Sequence, residues 1–288
     1  MSLSRSRELI LALLFLLAQA SYALRANMAA ANLLGDYADA KCLDGSTALY
    51  YFRNGWGDGS TKFHFHQMGG GFCGSVASCY NRAQDCQQGL GSSKCWPSEY
   101  NLTTAGTYFS SSAVDNPLLW NWNHVYMVYC DGGYFSGANA SVTSFNGTDL
   151  HFAGQHILRA VVADAAARHG LGNASDVLIG GCSAGGIATF AHLDMMADLV
   201  QRTGKSKMRI AGFADSGYYM DVDFYTNQKR FVTEHQVFNR STRAGGEREG
   251  ETDRERQRHR EKTQHNELSG ERRSNVPRTA GTHVNRTQ

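Results

Sequence analysis

No CxxC pair occurs among the seven cysteines of this 288-residue chain. A zinc-finger type of site therefore fits poorly. Charge of one sign is also lacking. The formal net charge is +2, which offers no broad positive field for nucleic acid. After the N-terminal segment, no apolar run reaches the length of a membrane helix. The chain has no internal repeat. It has one glycine-rich turn that leads into an apolar helix, but no lysine follows those glycines, which argues against a phosphate-binding loop.

What is present is unevenly distributed. Arg5 and Arg7 precede an apolar run over 9–17, with small-residue cleavage sites at Ser21-Tyr22-Ala23 or Ala18-Gln19-Ala20. Residues 1–23 read as a secretory signal that is too short to span a bilayer comfortably, an uncleaved anchor being the alternative. No stable membrane span is expected after cleavage. Residues 240–288 hold 12 Lys/Arg and 8 Asp/Glu, which leaves 16 basic and 18 acidic residues of the 28 and 26 in the whole chain. The body over 24–239 is sparsely charged and the tail densely so. Sequons at Asn101, Asn139, Asn146, Asn173, Asn239 and Asn285 fit surface glycosylation of a secreted protein.

Six cysteines, Cys42, Cys73, Cys79, Cys86, Cys95 and Cys130, precede the serine turn, and Cys182 lies inside it. An oxidising compartment would pair the six and leave Cys182 over. Spacing alone does not fix the connectivity. Cys73 with Cys79 and Cys86 with Cys95 are close enough to be local clips, and Cys42 with Cys130 would then join an early strand region to a later one.

Within the body, 48–52 and 62–68 read as strands around the turn RNGWGDGS, and Gly69-Gly70-Gly71 follows the second. The cysteine-rich stretch 72–96 reads as short helix and loop. NHVYMVYC over 123–130 is rich in β-branched and aromatic residues, as suits a strand buried on both faces. Residues 151–169 carry Ala153, Ile157, Val161 and Ala165 at a spacing of four, with Gly170 as a stop. A strand over 176–180, an apolar helix over 187–200 and a strand over 208–217 complete a strand–helix alternation. That alternation predicts an α/β fold with parallel pairing.

Gly181-Cys182-Ser183-Ala184-Gly185 matches G-x-S-x-G between a buried strand and an apolar helix. That context presents a serine hydroxyl above a sheet. It also aims the next backbone N–H, that of Ala184, where an oxyanion would form at the helix N-terminus. The bland alternative is a structural serine in a glycine-rich turn. Gly69-Gly70-Gly71 can supply a second oxyanion donor, or be only a tight turn.

With MGGGFCGSVASC, WNWNHVYMVYCDGGYFSGA, GGCSAGG and ADSGYYMD in that order, the chain from about Cys42 to about Phe238 resembles the pectin acetylesterase and Notum family of secreted serine esterases. The resemblance implies an α/β-hydrolase-like fold, a mainly parallel sheet with a nucleophile elbow, no cofactor and no metal. It implies an O-acylated polysaccharide or another acyl ester as substrate, with no nucleic-acid partner. Ser183 matches the nucleophile, and Gly70, Gly71 and Ala184 match the oxyanion-hole positions. Phe72 stands where many members carry tryptophan. Cys182 reads as packing rather than chemistry.

A serine esterase also needs a base and an orienting acid, in the order Ser, Asp or Glu, His. His192 lies nine residues along the helix, about 13 Å from Ser183 along its axis. His235 is possible by order, with Asp215, Asp221 or Asp223. His259, His265 and His283 fall in the charged tail, which lacks hydrophobic periodicity. The base and acid are thus not identifiable. The expectation is a truncated or mis-spliced esterase chain with little turnover, its tail intron-derived or frameshifted. One alternative is a non-catalytic secreted protein whose basic tail binds acidic glycans. Another is a chain that fails to fold because later strands are missing.

Overall fold

Alternate residues of one short strand, LYYFR, feed two different cores, and this sets the layering of the molecule. In the computed structural model this strand is β2, Leu49–Arg53, every residue of which is buried. Tyr50 and Phe52 join one cluster, while Leu49 and Tyr51 join another on the opposite face. The period of two along a strand makes this division automatic. The structure describes residues 26–139, 141–204 and 207–218. The chain divides into two units, Met1–Gly245 and Gly246–Gln288, and all described residues belong to the first. The signal reading over 1–23 and the tail over 240–288 lie outside them, as do Asp221, Asp223, His235, His259, His265 and His283.

The remaining elements are β1 (Met28–Leu33), β3 (Lys62–Gln67), α1 (Val76–Gln84), β4 (Glu99–Asn101), β5 (Asn123–Met127), β6 (Thr143–Phe145), β7 (Thr148–Leu150), α2 (Gly154–His169), β8 (Asp176–Cys182), α3 (Ala184–Thr203) and β9 (Arg209–Asp215). Among the described residues seven strands form one sheet in the order β4-β1-β2-β5-β3-β8-β9, and β6-β7 is a separate hairpin. β3 pairs in parallel with β5 and β8, and β8 in parallel with β9. The other half, β4-β1-β2-β5, is antiparallel. The α/β class and the parallel strands agree with the sequence reading. The antiparallel half contains β1 and β4, which that reading did not include. MAAANL has little β-propensity of its own and is a strand because β2 and β4 flank it.

Ile157, Leu158, Val161 and Ala165 of α2 pack in the larger core with Val177, Ile179, Met196 and Val200. Burying such side chains contributes about 1.5–3 kcal/mol each, more than the roughly 0.7 kcal/mol that separates ordinary helix propensities. Packing therefore fixes these helices. α2 starts at Gly154 rather than at 151, and the His151 N–H before it donates to the Leu43 carbonyl (3.0 Å). Gly170 ends it in the left-handed conformation, φ 73°. α3 starts at Ala184, earlier than the expected 187, and the 123–130 strand stops at Met127. At the far edge β9 has exposed residues, including Phe213.

Three disulfides form: Cys42–Cys130, Cys73–Cys79 and Cys86–Cys95. The first closes 88 residues of separation and the third 9. Chain-entropy arithmetic assigns them about 4.6 and about 2.6 kcal/mol. Replacing Cys42 and Cys130 by alanine is expected to lower urea-measured stability more than replacing Cys86 and Cys95. Equal losses would contradict this.

A polar knot sits at the N-terminal end of the parallel strands. The His124 Nε2–H donates to the Leu119 carbonyl (3.0 Å). In the neutral ring its Nδ1 is then the acceptor for His64 Nδ1–H (3.1 Å). Burial, aided by the Arg53 charge, holds His64 near 3, and burial pushes His66 and His124 well down. His192 on α3 is likewise held near 4 by burial. Below the ordinary histidine value of 6.5, the unfolded chain takes up protons that these folded rings refuse. Each ring therefore removes up to about 1.4 kcal/mol of stability per pH unit. Asp131, pushed up to about 6 by burial, opposes this between pH 6 and its ordinary 3.8. Four rings outweigh one carboxyl, so the urea midpoint is expected to fall from pH 6.5 to 5. A flat profile there would refute the balance.

Candidate active site

At the end of β8 the chain turns from strand to helix within a single residue. Ser183 has φ 57° and ψ −118°, a region that is costly for a non-glycine residue and persists only where its surroundings impose it. Here both backbone groups are held: its N–H donates to the Asp215 carbonyl (2.9 Å), and its carbonyl accepts from Ile187 N–H (3.0 Å).

The glycines around it answer to backbone crowding. A Cβ on Gly181 would press on the Gly185 and Gln67 carbonyls, and one on Gly185 would fall inside the Gln67 carbonyl. Gly69, after β3, faces the Cys182 carbonyl and the Ser183 Cβ. The 69–71 loop and the serine turn are therefore in contact.

The orientation of that loop follows from its carbonyls. Arg82 Nη2, on α1, donates to the Gly70 carbonyl (3.0 Å). The Tyr129 hydroxyl donates to the Gly71 carbonyl (2.8 Å) and accepts from Tyr134 N–H (2.9 Å). In a planar trans peptide the N–H points opposite to the preceding carbonyl. The amides of Gly71 and Phe72 thus face away from Arg82 and Tyr129. The sequence reading named Gly70, Gly71 and Ala184. The Phe72 amide, which that reading did not name, takes its direction from the Tyr129 bond to the Gly71 carbonyl. Ala184 is the first residue of α3, so its N–H belongs to the helix's electropositive end.

A second strained loop adjoins this one, with Tyr134 at φ 41° and Phe135 at φ 60°. Buried Asp131 holds it by accepting from Gly133 N–H (3.2 Å) and Phe135 N–H (3.1 Å). His192 is engaged by this region, with Nε2 3.0 Å from Ser136 Oγ. Asp215 ends β9, where Oδ1 accepts from Ser216 Oγ (2.9 Å). Burial, with Asp215 beside it, raises the Cys182 thiol, so the thiol stays protonated at neutral pH. Among the described residues there is no group of three or more His, Cys, Asp or Glu able to hold a metal ion. Among them, too, no helix is long and apolar enough to cross a membrane.

A strand, a strained serine and a helix N-terminus on a seven-stranded mixed sheet make this an α/β-hydrolase-like fold. A family model described as Pectinacetylesterase matches residues 23–266, and the chain belongs to that family. It is 38% identical over 201 residues to pectin acetylesterase 5 of Arabidopsis thaliana, covering 69% of this chain and 44% of that protein. It is 33% identical over 185 residues to the palmitoleoyl-protein carboxylesterase NOTUM of Homo sapiens, covering 64% of this chain and 35% of that one. The crystal structure of the Wnt deacylase Notum from Drosophila superposes with TM-score 0.64 at 26% identity, over 73% of this chain and 60% of that one. The chain thus spans less than half the length of these two curated relatives.

The crowding gives a direct test. Gly185→Ala is expected to cost at least about 3 kcal/mol, since backbone must move. Gly147→Ala, in the β6-β7 turn at φ 74° with open space around it, should cost about 1–2 kcal/mol. Urea unfolding of both variants would check the order.

Proposed function

We propose that this protein is a secreted carboxylic-ester hydrolase, a polysaccharide O-deacetylase or related deacylase, with Ser183 as nucleophile. The observation that carries the reading is the backbone of Ser183, held at φ 57° between β8 and α3. Strain of this kind on a non-glycine residue is retained where it serves a site. The relatives named as pectin acetylesterase and as palmitoleoyl-protein carboxylesterase support ester cleavage. The apolar leader and the three disulfides support secretion.

In this mechanism Ser183 Oγ attacks the acyl carbon. The carbonyl oxygen becomes an oxyanion that accepts N–H bonds from Ala184 and from the 70–72 loop, whose Gly71 and Phe72 amides face away from Arg82 and Tyr129. Such preorganised donors are worth roughly 3–4 kcal/mol each. A base takes the serine proton and passes it to the departing alcohol, and water then releases the acyl group. Several described histidines are committed elsewhere: His64 to His124, His169 to Tyr50 and His192 to Ser136. The base and its acid stay unassigned, and turnover by the 288-residue chain is expected to be slow.

A fluorophosphonate probe with mass-spectrometric readout tests both parts. Faint labelling that disappears in Ser183→Ala is the expected result. Strong labelling lost in that variant would keep the nucleophile and overturn the slow turnover. Labelling unchanged by Ser183→Ala would sink the nucleophile assignment.

A further inference from the structure

The large sheet ends differently at its two edges. At one edge β4, Glu99–Asn101, is only three residues long. At the other, β9 pairs with β8 over all of Arg209–Asp215 in an unbroken register. Among the described residues no strand pairs with the outer side of β9. A strand of this length spans about 23 Å. Exposed edges are commonly blunted by lysine, proline or a bulge, and RIAGFAD has none of these.

The backbone phase of β9 is fixed at both ends. Arg209 N–H donates to the Ser175 carbonyl, and Ser183 N–H to the Asp215 carbonyl, each at 2.9 Å. In a parallel pair one residue turns both its backbone groups to a given neighbour and the next turns both away. Arg209, Ala211, Phe213 and Asp215 thus bond β8. Ile210, Gly212 and Ala214 turn their N–H and carbonyl groups to the open edge. The side chains alternate in the same way. A Cβ on Gly212 would meet the Leu193 side chain of α3, and Ile210 packs against the larger core. The opposite face carries Arg209, Ala211, Phe213 and Asp215. There the Arg209 side chain is 82% exposed and Phe213 is 55% exposed.

We infer that the β9 edge is a docking surface for a second copy of this chain, the two β9 strands joining antiparallel about a two-fold axis at Gly212. The strand is complementary to itself in that register. Arg209 stands opposite Asp215 of the second copy, Ile210 opposite Ala214, Ala211 opposite Phe213, and Gly212 opposite Gly212. Unlike charges meet at both ends and apolar residues meet between them. Asp176 Oδ1 already holds Arg209 Nη2 at 2.6 Å, which fixes the guanidinium at the end of the strand. The backbone agrees with the side chains. Ile210, Gly212 and Ala214 would exchange both their hydrogen bonds with Ala214, Gly212 and Ile210 of the second copy. In-register parallel pairing would instead set Arg209 beside Arg209 and Asp215 beside Asp215, which like charge opposes. A two-fold interface occupies the same surface on both copies, so assembly closes at two. No side-chain atom of Ser183 takes part, and the inference stands apart from ester hydrolysis.

Sedimentation velocity of the full chain, disulfides intact, tests this over a dilution series. A reversible equilibrium between one copy and two is expected. Phe213→Lys, at an exposed position, brings like charges together across the axis. It should raise the concentration for half association about 10-fold or more. Ser183→Ala should associate like the parent, which separates this result from the fate of the esterase reading. Residue-resolved hydrogen exchange of the parent needs no variant. The amides of Ile210, Gly212 and Ala214 should be protected in the associated form and exchange on dilution, while those of Ala211 and Phe213 stay protected throughout. A single copy at every concentration, growth beyond two copies, or association unchanged by Phe213→Lys would each overturn the inference. So would protection of Ile210, Gly212 and Ala214 that survives dilution, because another part of the same chain would then cover the edge.

Discussion

The carbonyl oxygen of Gln67 is the fixed point around which the functional end of this molecule is arranged. It occupies the space that a side chain at Gly185 would take and crowds Gly181 as well. The strand end of β3 and the first turn of α3 thus meet backbone to backbone. The Gln67 side chain closes the same joint from within, donating to Met196 Sδ (2.9 Å) and accepting from Thr189 Oγ1 (3.1 Å). With strand and helix this close, one residue must reverse the chain, and Ser183 adopts the required conformation. The strain at Ser183 and the glycines around it are one constraint seen from two sides.

The rest of the fold supports that joint in layers. The 69–71 loop is clamped by Arg82 from α1 and by Tyr129 from the end of β5, and α1 itself is tied to the loop by Cys73–Cys79. Tyr129 reaches both strained loops through one hydroxyl. Its burial and the nearby Asp131 charge raise its pKa well above the ordinary tyrosine value, so the hydroxyl keeps the proton it donates. The antiparallel half of the sheet carries a second core that includes Tyr51, Phe109 and Tyr126.

Much of this was legible in the sequence, for identifiable reasons. NHVYMVYC and DVLIGG are continuous apolar runs, and strands buried on both faces write themselves that way. G-C-S-A-G between such a strand and an apolar helix fixed the serine turn, because only small residues fit where backbones touch. Helix rise alone separated His192 from Ser183, and the structure engages His192 with Ser136. The local cysteine pairs followed from proximity. What was not legible depended on contacts distant in sequence. β1 is alanine-rich and becomes a strand through its neighbours. The Gly71 amide is aimed by Arg82 and the Phe72 amide by Tyr129, and nothing in GGGF announces that.

The hydrogen bond from Ser183 N–H to the Asp215 carbonyl carries a consequence for timing. The serine's backbone is held by a strand that is synthesised well after it, at the edge of the sheet. Until β9 has paired with β8, the turn lacks one of its two anchors and is free to relax. Non-local pairings of this kind form late, after the entropy of loop closure has been met. A nascent chain would therefore carry an unset turn through most of its folding. The strained geometry of the turn would be set only once β9 has paired beside it.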